Sequence, residues 1–320
     1  MKILFTADIH IKLGQKNVPI DWAINRYNLL EEQLDKLQEQ ADIIILGGDV
    51  FDKLPNMAEL DVYFRLISKF NKPTYIIPGN HEAVKKDTSF LTQLKFVTNS
   101  INPNVIIIDD YANYRDIDFI PYNKVKDFEK QGKEVFNKQS RILITHVRGE
   151  IPPHVKPEVD LDIFSDWDIV LAGDLHSYEN SQRNILYPGS PCTTSFHRNI
   201  CDTGVILLDT ETLLHNWIKL DLPQLLRKTI KAGEPMLPTE YHHTIYEVEG
   251  DMSELSNMED NDLLDKKVIK RDSDTALILD NNMSLQSEVV EYLTYILQLQ
   301  DKAIDAAMKE FNNYADKFTT

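Results

Sequence analysis

Residues 2–10 read Lys2-Ile3-Leu4-Phe5-Thr6-Ala7-Asp8-Ile9-His10, an apolar run that ends in an aspartate and a histidine. The run predicts a buried β-strand that delivers Asp8 and His10 at its carboxyl end. In open α/β sheets, ligands gather at the carboxyl ends of strands. The same arrangement recurs after later apolar runs, in the segments Gly48-Asp49-Val50-Phe51-Asp52, Gly79-Asn80-His81-Glu82, Thr145-His146 and Gly173-Asp174-Leu175-His176.

Around these segments, from residue 1 to about 220, short β-rich runs alternate with helical stretches. Trp22–Gln40 and Glu59–Phe70 carry apolar side chains at helical spacing. The alternation predicts a layered α/β domain. The predicted strands are Lys2–Thr6, Asp42–Leu46, Thr74–Ile77, Val105–Ile108, Ile142–Thr145, Ile169–Ala172 and Gly204–Asp209.

The pattern changes after about residue 220, where two β-like runs, Thr244–Val248 and Val268–Arg271, flank an acidic stretch. This predicts a small α+β domain. After Asn281-Asn282, Ser284 can cap a helix, and two helices follow. Their apolar stripes either pack against the small domain or form a docking surface for a partner. The stripes are Leu285, Val289, Leu293, Ile296 and Leu297, then Ile304, Ala307, Met308, Phe311 and Ala315. The predicted domains are 1–220, 221–280 and 281–320.

Composition limits the class of protein. The formal net charge of -17 argues against strong DNA binding by this chain alone, although a local groove can still be basic. The two cysteines, Cys192 and Cys201, make a disulfide framework unexpected and favour a reducing compartment. The apolar runs are too short to span a membrane. We therefore expect a cytoplasmic protein with no membrane partner.

Taken singly, the polar residues at the strand ends are weak signals. An aspartate after a strand is often a helix cap or a turn former, and a lone histidine is usually a satisfied core residue. Jointly, four of the nine histidines, three aspartates and one asparagine fall at strand ends, beside glycines that permit tight turns. The set predicts a metal site.

The order Asp-X-His, Gly-Asp-X-X-Asp, Gly-Asn-His-Glu, His, Gly-X-X-His resembles the calcineurin-like metallophosphoesterases over about residues 1–210. The resemblance implies a layered β-sandwich core flanked by helices, with a small α+β cap domain and C-terminal helices. It also implies two divalent ions bridged by Asp49. The first ion would be held by Asp8, His10, Asp49 and His176, and the second by Asp49, Asn80, His146 and Asp174.

The resemblance further implies Mn²⁺, with Mg²⁺ or Fe²⁺ as alternatives, and Zn²⁺ is compatible with the same mixed oxygen and imidazole shell. A water activated by the ions would attack the phosphorus. His81 would protonate the leaving oxygen, while Asp52 would hold its other ring nitrogen; Asp52 could instead be a helix N-cap. Asp174 stands where the family usually has histidine, so it could act as a ligand or leave the second ion weakly held.

Within that family, the chain resembles the SbcD-type (Mre-eleven) nucleases, in particular the nuclease subunits of tailed-phage (T-five-like) recombination endonucleases. Residues 2–10 and Gly48–Asp52 carry this resemblance, with Tyr187-Pro188-Gly189-Ser190-Pro191 and Gly204–Thr210. It implies a DNA exonuclease or endonuclease of recombination, repair or replication. It also implies an SbcC-type ATPase docked on the C-terminal helices and a homodimer within a heterotetramer, in the host cytoplasm if the chain is phage-encoded.

The predicted substrate contacts are Arg148, which lies two residues after His146, and the pair His197-Arg198. Loop lysines beside the motifs could form a locally basic groove; they are Lys12, Lys16, Lys85, Lys86, Lys124 and Lys126. Two alternatives stay open. One is a phosphodiesterase of the same fold acting on a small substrate, and the other is a metal-deficient scaffold that binds the ATPase. Cleavage polarity, strand preference, ATP dependence and the helices that dimerise are open too.

Overall fold

The computed structural model describes residues 1–85, 88–259, 261–269, 283–297 and 299–315. Lys86, the break at Asn281-Asn282 and the end of the strand predicted at Val268–Arg271 lie outside these residues. The chain forms two compact units. The first consists of Met1–Lys228, Pro235–Tyr246 and Asn261–Asp265, and the second of the described residues of Thr229–Glu234, Glu247–Asp260 and Lys266–Thr320.

The helices and strands follow in chain order. The α-helices are α1 Ile20–Leu37, α2 Met57–Ser68, α3 Leu91–Ile101, α4 Tyr122–Gln131, α5 Met252–Ser256, α6 Leu285–Glu291 and α7 Asp301–Ala315. The strands are β1 Lys2–Thr6, β2 Ile43–Leu46, β3 Thr74–Ile76, β4 Ala83–Lys85, β5 Thr88–Ser89, β6 Val105–Ile107, β7 Ala112–Tyr114, β8 Ile117–Ile120, β9 Ile142–His146, β10 Ile169–Gly173, β11 Ile185–Leu186, β12 Gly204–Asp209, β13 His215–Lys219, β14 Leu225–Lys231, β15 His243–Gly250 and β16 Leu264–Ile269.

Two sheets build the first unit. One has six strands in the order β13-β12-β1-β2-β3-β6, and the other has five in the order β11-β10-β9-β8-β7. Strands β1, β2, β3 and β6 are parallel, with Thr6 opposite Leu46, and β9 and β10 are parallel, with His146 opposite Gly173. The carboxyl ends of the motif-bearing strands therefore meet within each sheet. A three-stranded sheet has the order β14-β15-β16.

Three apolar cores explain the layers. Side chains from the inner faces of both sheets, such as Ile3, Ile45, Phe119 and Ile144, form the core between them. A second core packs the outer face of the six-stranded sheet against α1, α2 and α3. The third packs the outer face of the five-stranded sheet against α4. The predicted fold class, an α/β protein with a layered β-sandwich core flanked by helices, is confirmed.

The second unit contains α5, α6, the π-helical turn Tyr292–Ile296 and α7. Several described side chains of the predicted stripes are half-buried rather than buried: Val289, Leu293, Ile296, Ile304, Ala307, Met308 and Phe311. Leu285 and Leu297 are exposed. No described side chain of α6 or the π-helical turn is buried. None of the described residues forms a helix that is both long and apolar enough to cross a membrane.

Candidate metal centre

The predicted ligands lie in turns with unusual backbone geometry. Asp8, His10, Asp49 and Asp174 all have positive φ angles, of 57°, 47°, 50° and 103°. Non-glycine residues rarely adopt such angles, and they persist where the surrounding structure imposes them. Here the turns are joined by backbone hydrogen bonds, since the Asp8 and His10 N–H groups donate to the carbonyl oxygens of Gly48 and Asp49 at 3.0 and 2.9 Å.

Gly48 shows why glycine stands beside the ligands. Its φ is +94°, and a Cβ atom added there would lie 2.5 Å from Nδ1 of His146 and 2.8 Å from the backbone of Gly79. Any side chain at this position would push His146 or the loop of Gly79 aside. The close approach of three motif segments therefore depends on the missing side chain at Gly48.

The Asp49 carboxylate lies at the middle of the cluster. Its Oδ2 atom is 3.6 Å from Nε2 of His10 and 3.6 Å from Nε2 of His146. The other oxygen, Oδ1, accepts a hydrogen bond from the His81 backbone N–H at 2.9 Å. One oxygen therefore fixes the carboxylate, while the other faces an imidazole on each of two sides.

On the first side, Nε2 of His10 lies 3.1 Å from Nε2 of His176. Oδ1 of Asp8 is 3.9 and 4.0 Å from these two nitrogens. Asp8 is fully buried and accepts the Asp174 N–H at 3.0 Å. Nδ1 of His176 lies 3.2 Å from Oγ1 of Thr194. The ligands predicted for the first ion, including Asp49, are thus brought together.

On the second side, Oδ1 of Asn80 lies 2.8 Å from Nε2 of His146, and the His146 Nδ1 atom is 2.8 Å from the Gly47 carbonyl oxygen. Because that carbonyl can only accept, Nδ1 carries a proton, and Nε2 is the ring nitrogen that would bind a cation once its own proton is displaced. Asp174 is less closely engaged. Its Oδ1 is 4.0 Å from Nε2 of His146, and both its oxygens accept hydrogen bonds from the Arg148 guanidinium, at 3.2 and 3.4 Å.

Burial and crowding shift the ionisation of these groups. Burial raises the pKa of Asp8 well above its usual value, and the Asp49 charge adds to that effect. Burial also lowers the pKa of His10 to about 2, helped by the neighbouring imidazoles. Burial alone would lower the pKa of His146, but Asp49, Asp8 and Asp174 raise it to about 9. In the metal-free protein, the proton on His146 partly balances the negative charge of these three clustered carboxyl groups.

The residues fit divalent cations. Three groups of ligand atoms lie within 4.8 Å of one another: Asp8 with His10 and His176, His10 with Asp49 and His81, and Asp8 with Asp49 and His146. Metal–ligand bonds of about 2.0–2.2 Å place adjacent ligand atoms roughly 3–3.5 Å apart, close to the separations around Asp49. The excess of carboxylates in the cluster also favours positive charge.

Glu82 was not identified as a site residue from sequence. It is fully buried, and its carboxylate accepts three backbone N–H groups: Oε2 bonds Asp49 at 3.0 Å and Gly79 at 2.8 Å, and Oε1 bonds Phe51 at 2.9 Å. Burial, together with the Asp49 charge, raises the pKa of Glu82 to about 7. Its sequence signal was its place in the segment Gly79-Asn80-His81-Glu82. That signal was too weak to identify it, because a glutamate after a turn ordinarily lies on the protein surface.

His81, like His176, is an exposed member of the cluster, with 38% of its side chain accessible and Nε2 3.9 Å from Oδ2 of Asp49. Its Nδ1 atom donates at 2.6 Å to the backbone carbonyl oxygen of Asp52, whereas we expected the Asp52 carboxylate in that place. The reason for the difference is Lys12, whose ammonium group lies 2.9 Å from Oδ2 of Asp52. The carboxylate is drawn to Lys12, and the carbonyl orients His81.

The predicted substrate contacts differ in position. Arg148 is half-exposed and lies beside the cluster through its bonds to Asp174. His197 lines a cavity of about 650 Å³ together with His176. Arg198 follows His197 in the chain and is exposed. Lys85 and Lys126 line a second cavity, of about 250 Å³, beside Tyr122.

The chain was compared with a family model, with curated proteins and with solved structures. Residues 1–198 match the family model described as calcineurin-like phosphoesterase. The chain is similar to the probable exonuclease subunit 1 of Escherichia phage T5, with 39% identity over 99% of this chain and 100% of that protein. It is similar to the SbcD component of the nuclease SbcCD of Staphylococcus epidermidis, with 24% identity over 77% of this chain and 73% of that one. A solved structure, TT1561 of Thermus thermophilus, aligns with a TM-score of 0.44 and 13% identity over 68% of this chain and 98% of its own.

Proposed function

The chain belongs to the calcineurin-like phosphoesterase family, and from that premise we propose that it is a metal-dependent DNA nuclease, the nuclease subunit of a nuclease–ATPase complex. The observation that carries the proposal is the position of Asp49, whose Oδ2 atom faces imidazoles on two sides at 3.6 Å. A single carboxylate oxygen so placed suits a pair of cations, the arrangement that hydrolyses phosphodiesters. The similarity to two proteins named as nuclease subunits supports DNA as the substrate.

We assign the two cations as expected from the sequence. Asp8, His10, Asp49 and His176 would hold one, and Asp49, Asn80, His146 and Asp174 the other. When bound, such cations lower the pKa of a water and neutralise charge on the phosphate oxygens. Mn²⁺ is proposed as the cation because the donors mix carboxylate and amide oxygens with imidazole, although Mg²⁺ or Fe²⁺ also suit them.

His81 is proposed as the acid that assists the leaving group. Because Nδ1 donates its proton to the Asp52 carbonyl oxygen, the ring is oriented with Nε2 toward the cluster. Nε2 can then carry a proton and transfer it to the departing oxygen. Asp52 takes part through its backbone, and its side chain binds Lys12.

The strand is proposed to pass the cavity lined by Lys85 and Lys126, whose ammonium groups suit backbone phosphates. Arg148, at the other edge of the cluster, would contact the scissile phosphate, and His197 and Arg198 would contact the strand nearby. These contacts make a locally basic path on a chain whose net charge is -17. A partner that supplies further DNA contacts would complete the binding.

The proposed partner is an SbcC-type ATPase docked on the C-terminal helices. Support comes from the second unit, where Leu285, Tyr295 and Leu297 are exposed and the other described stripe side chains are only half-buried. The proposed functional domains remain residues 1–220 for hydrolysis, 221–280 for DNA recognition and 281–320 for docking. The host cytoplasm is the proposed location if the chain is phage-encoded.

A homodimer is also proposed, formed through α3. Phe96 is 84% exposed on this helix, and Val97 and Ile101 are exposed beside it. Apolar side chains of this size are seldom left in water together unless a partner covers them. Two copies, each with one ATPase, would make the heterotetramer.

The test is Mn²⁺-dependent degradation of labelled linear duplex DNA by wild type, His81→Ala and His154→Ala. His154 is an exposed histidine outside the cluster and serves as the matched control. We expect wild type and His154→Ala to release nucleotides and His81→Ala to lose at least about a hundredfold in rate, the range of a single acid–base group. Bis-p-nitrophenyl phosphate is the small substrate run alongside.

Each contrary outcome has a meaning. Cleavage of bis-p-nitrophenyl phosphate but not of DNA, with and without an added SbcC-type ATPase, would point to a phosphodiesterase of small substrates. No hydrolysis of either substrate by the Mn²⁺-loaded protein would point to a scaffold. Full activity in His81→Ala would remove His81 from the mechanism.

A further inference from the structure

Beyond His176 itself, the cavity beside this ligand enters the proposed function only through His197, one of the residues that line it. It has a volume of about 650 Å³, which lies within the range of small-ligand sites. His176 belongs to the ligand group with Asp8 and His10 and also lines this cavity. A phosphodiester bound at the ligands would therefore project one of its two substituents toward the cavity.

The charge of the cavity distinguishes between possible occupants. No lysine or arginine is found among the described residues that line it, whereas the carboxylates of Glu179 and Asp202 do line it. The Asp202 carboxylate is paired with Lys219. The lysine and arginine side chains that would balance a run of phosphates are missing from the described lining, in contrast to the cavity that contains Lys85 and Lys126. The occupant is expected to be uncharged.

The walls of the cavity combine flat apolar surface with hydroxyl groups. Tyr178 and Trp217 stack with ring centroids 5.5 Å apart and 27° between their planes. Ile200, at 60% exposure, adds an apolar side chain. Thr194, bonded to the His176 ring, and Ser195 supply hydroxyl groups. Aromatic and apolar surface suits a planar base, and hydroxyl groups suit its polar edges or a sugar.

We propose that this cavity is a nucleoside subsite, which binds the base and sugar on one side of the scissile phosphate. The proposal rests on the proposed function and adds where one end of the substrate lies. A base held against aromatic side chains gains about 1–3 kcal/mol, which corresponds to roughly 5- to 150-fold in affinity or kcat/KM. The protein therefore prefers diesters that carry a nucleoside on the correct side of the phosphate.

The first experiment compares three p-nitrophenyl diesters with the full chain in Mn²⁺. Two of them carry thymidine, linked through its 5′ or its 3′ oxygen, and the third, methyl p-nitrophenyl phosphate, has no nucleoside. We expect one thymidine isomer to exceed the methyl ester at least about fivefold in kcat/KM. Equal kcat/KM for all three esters would overturn the proposal.

The second experiment fills the cavity. Ser195→Trp places a large ring at an exposed lining position, and Ser165→Trp makes the same change at an exposed loop serine of the same unit that does not line the cavity. We expect Ser195→Trp to bring the ratio of thymidine ester to methyl ester close to one, and Ser165→Trp to keep the wild-type ratio. An unchanged ratio in Ser195→Trp would place the nucleoside elsewhere and overturn the proposal.

Calorimetry separates the subsite from the nuclease activity. The Mn²⁺-loaded wild type is titrated with thymidine 5′-monophosphate, thymidine 3′-monophosphate and inorganic phosphate. Tighter binding of one nucleotide than of phosphate, lost in Ser195→Trp, supports the subsite even if no ester is hydrolysed. If the nucleotide binds more tightly but no ester is hydrolysed, the proposed nuclease function fails and the subsite stands. Equal binding of nucleotides and phosphate refutes the subsite whether or not the esters are hydrolysed.

Discussion

Glu82 is expected to hold the ligand loops in position, and Glu82→Gln tests this. The carboxylate accepts N–H groups from Asp49, Gly79 and Phe51. An amide has one accepting oxygen, so at least the Phe51 N–H would face an NH₂ group and stay buried without a partner, which costs about 1–3 kcal/mol. Above pH 7, where Glu82 is ionised, the remaining two bonds would also lose their ionic character, at about 1 kcal/mol each. The expected total is about 3–5 kcal/mol of unfolding free energy.

The same substitution should weaken metal binding, because Asp49 takes its backbone position from Glu82. Removing a group that orients a ligand typically lowers metal affinity by about 10- to 100-fold. The matched control is Glu59→Gln. Glu59 is also buried and accepts backbone N–H groups, from Leu13 at 3.0 Å and Asn56 at 2.9 Å, but it contacts none of the ligands.

Urea unfolding gives the free energies of unfolding, and Mn²⁺ titration calorimetry gives the metal affinities. Both variants are expected to lose stability, and only Glu82→Gln is expected to lose Mn²⁺ affinity. Wild-type Mn²⁺ affinity in Glu82→Gln would refute the role of Glu82 in placing Asp49. An equal loss of affinity in Glu59→Gln would show that the effect follows from stability alone.

Three further predictions concern the cluster and the proposed dimer. The pKa of His146 is raised from 6.5 to about 9 in the metal-free fold, so the stability that its proton contributes is present below pH 6.5 and is lost as pH rises through 9. In thermal scans, the increase in melting temperature on replacing chelator with Mn²⁺ should therefore grow from pH 6.5 to pH 9. An increase that stays constant over this range would contradict the prediction. Gly48→Ala should lower the free energy of unfolding in urea by about 2 kcal/mol or more, while Gly14→Ala, with open space around it, should change little; equal effects would refute the packing argument. Phe96→Glu should shift a dimer toward monomer in sedimentation, and Leu214→Glu, a matching change at another exposed apolar side chain, should not; an unchanged Phe96→Glu dimer would place the interface elsewhere.

Much of the β-sandwich could be predicted because its central strands are continuous apolar runs. β1 and β12 begin and end where predicted, and β2, β3, β6, β9 and β10 differ by a residue at one end. β8 was missed because it contains Asp118, which interrupts the apolar pattern. This aspartate is fully buried and accepts hydrogen bonds from Trp167 Nε1 at 2.9 Å and the Ser140 N–H at 3.1 Å. Such partners are distant in sequence and cannot be read from the local pattern.

In the site too, some features could be predicted from the sequence and others could not. The types and order of the candidate ligands were predictable because each follows a strand, and parallel strands end at one edge. The contacts that orient them were not. The carbonyl of Asp52 at His81, the guanidinium of Arg148 at Asp174 and the carboxylate of Glu82 at Asp49 are all long-range or backbone contacts. They depend on how the loops pack, which the periodicity of a strand does not encode.

The cluster holds several arrangements that are unfavourable for the metal-free fold. Asp8, His10, Asp49 and Asp174 have left-handed backbone angles, and three of these residues are carboxylates within one buried site. Each left-handed residue costs about 1–3 kcal/mol, and clustered buried carboxylates repel one another. Bound cations would relieve the repulsion between the carboxylates. Since ligands that bind only the folded state stabilise it, metal binding and folding should be coupled in this protein.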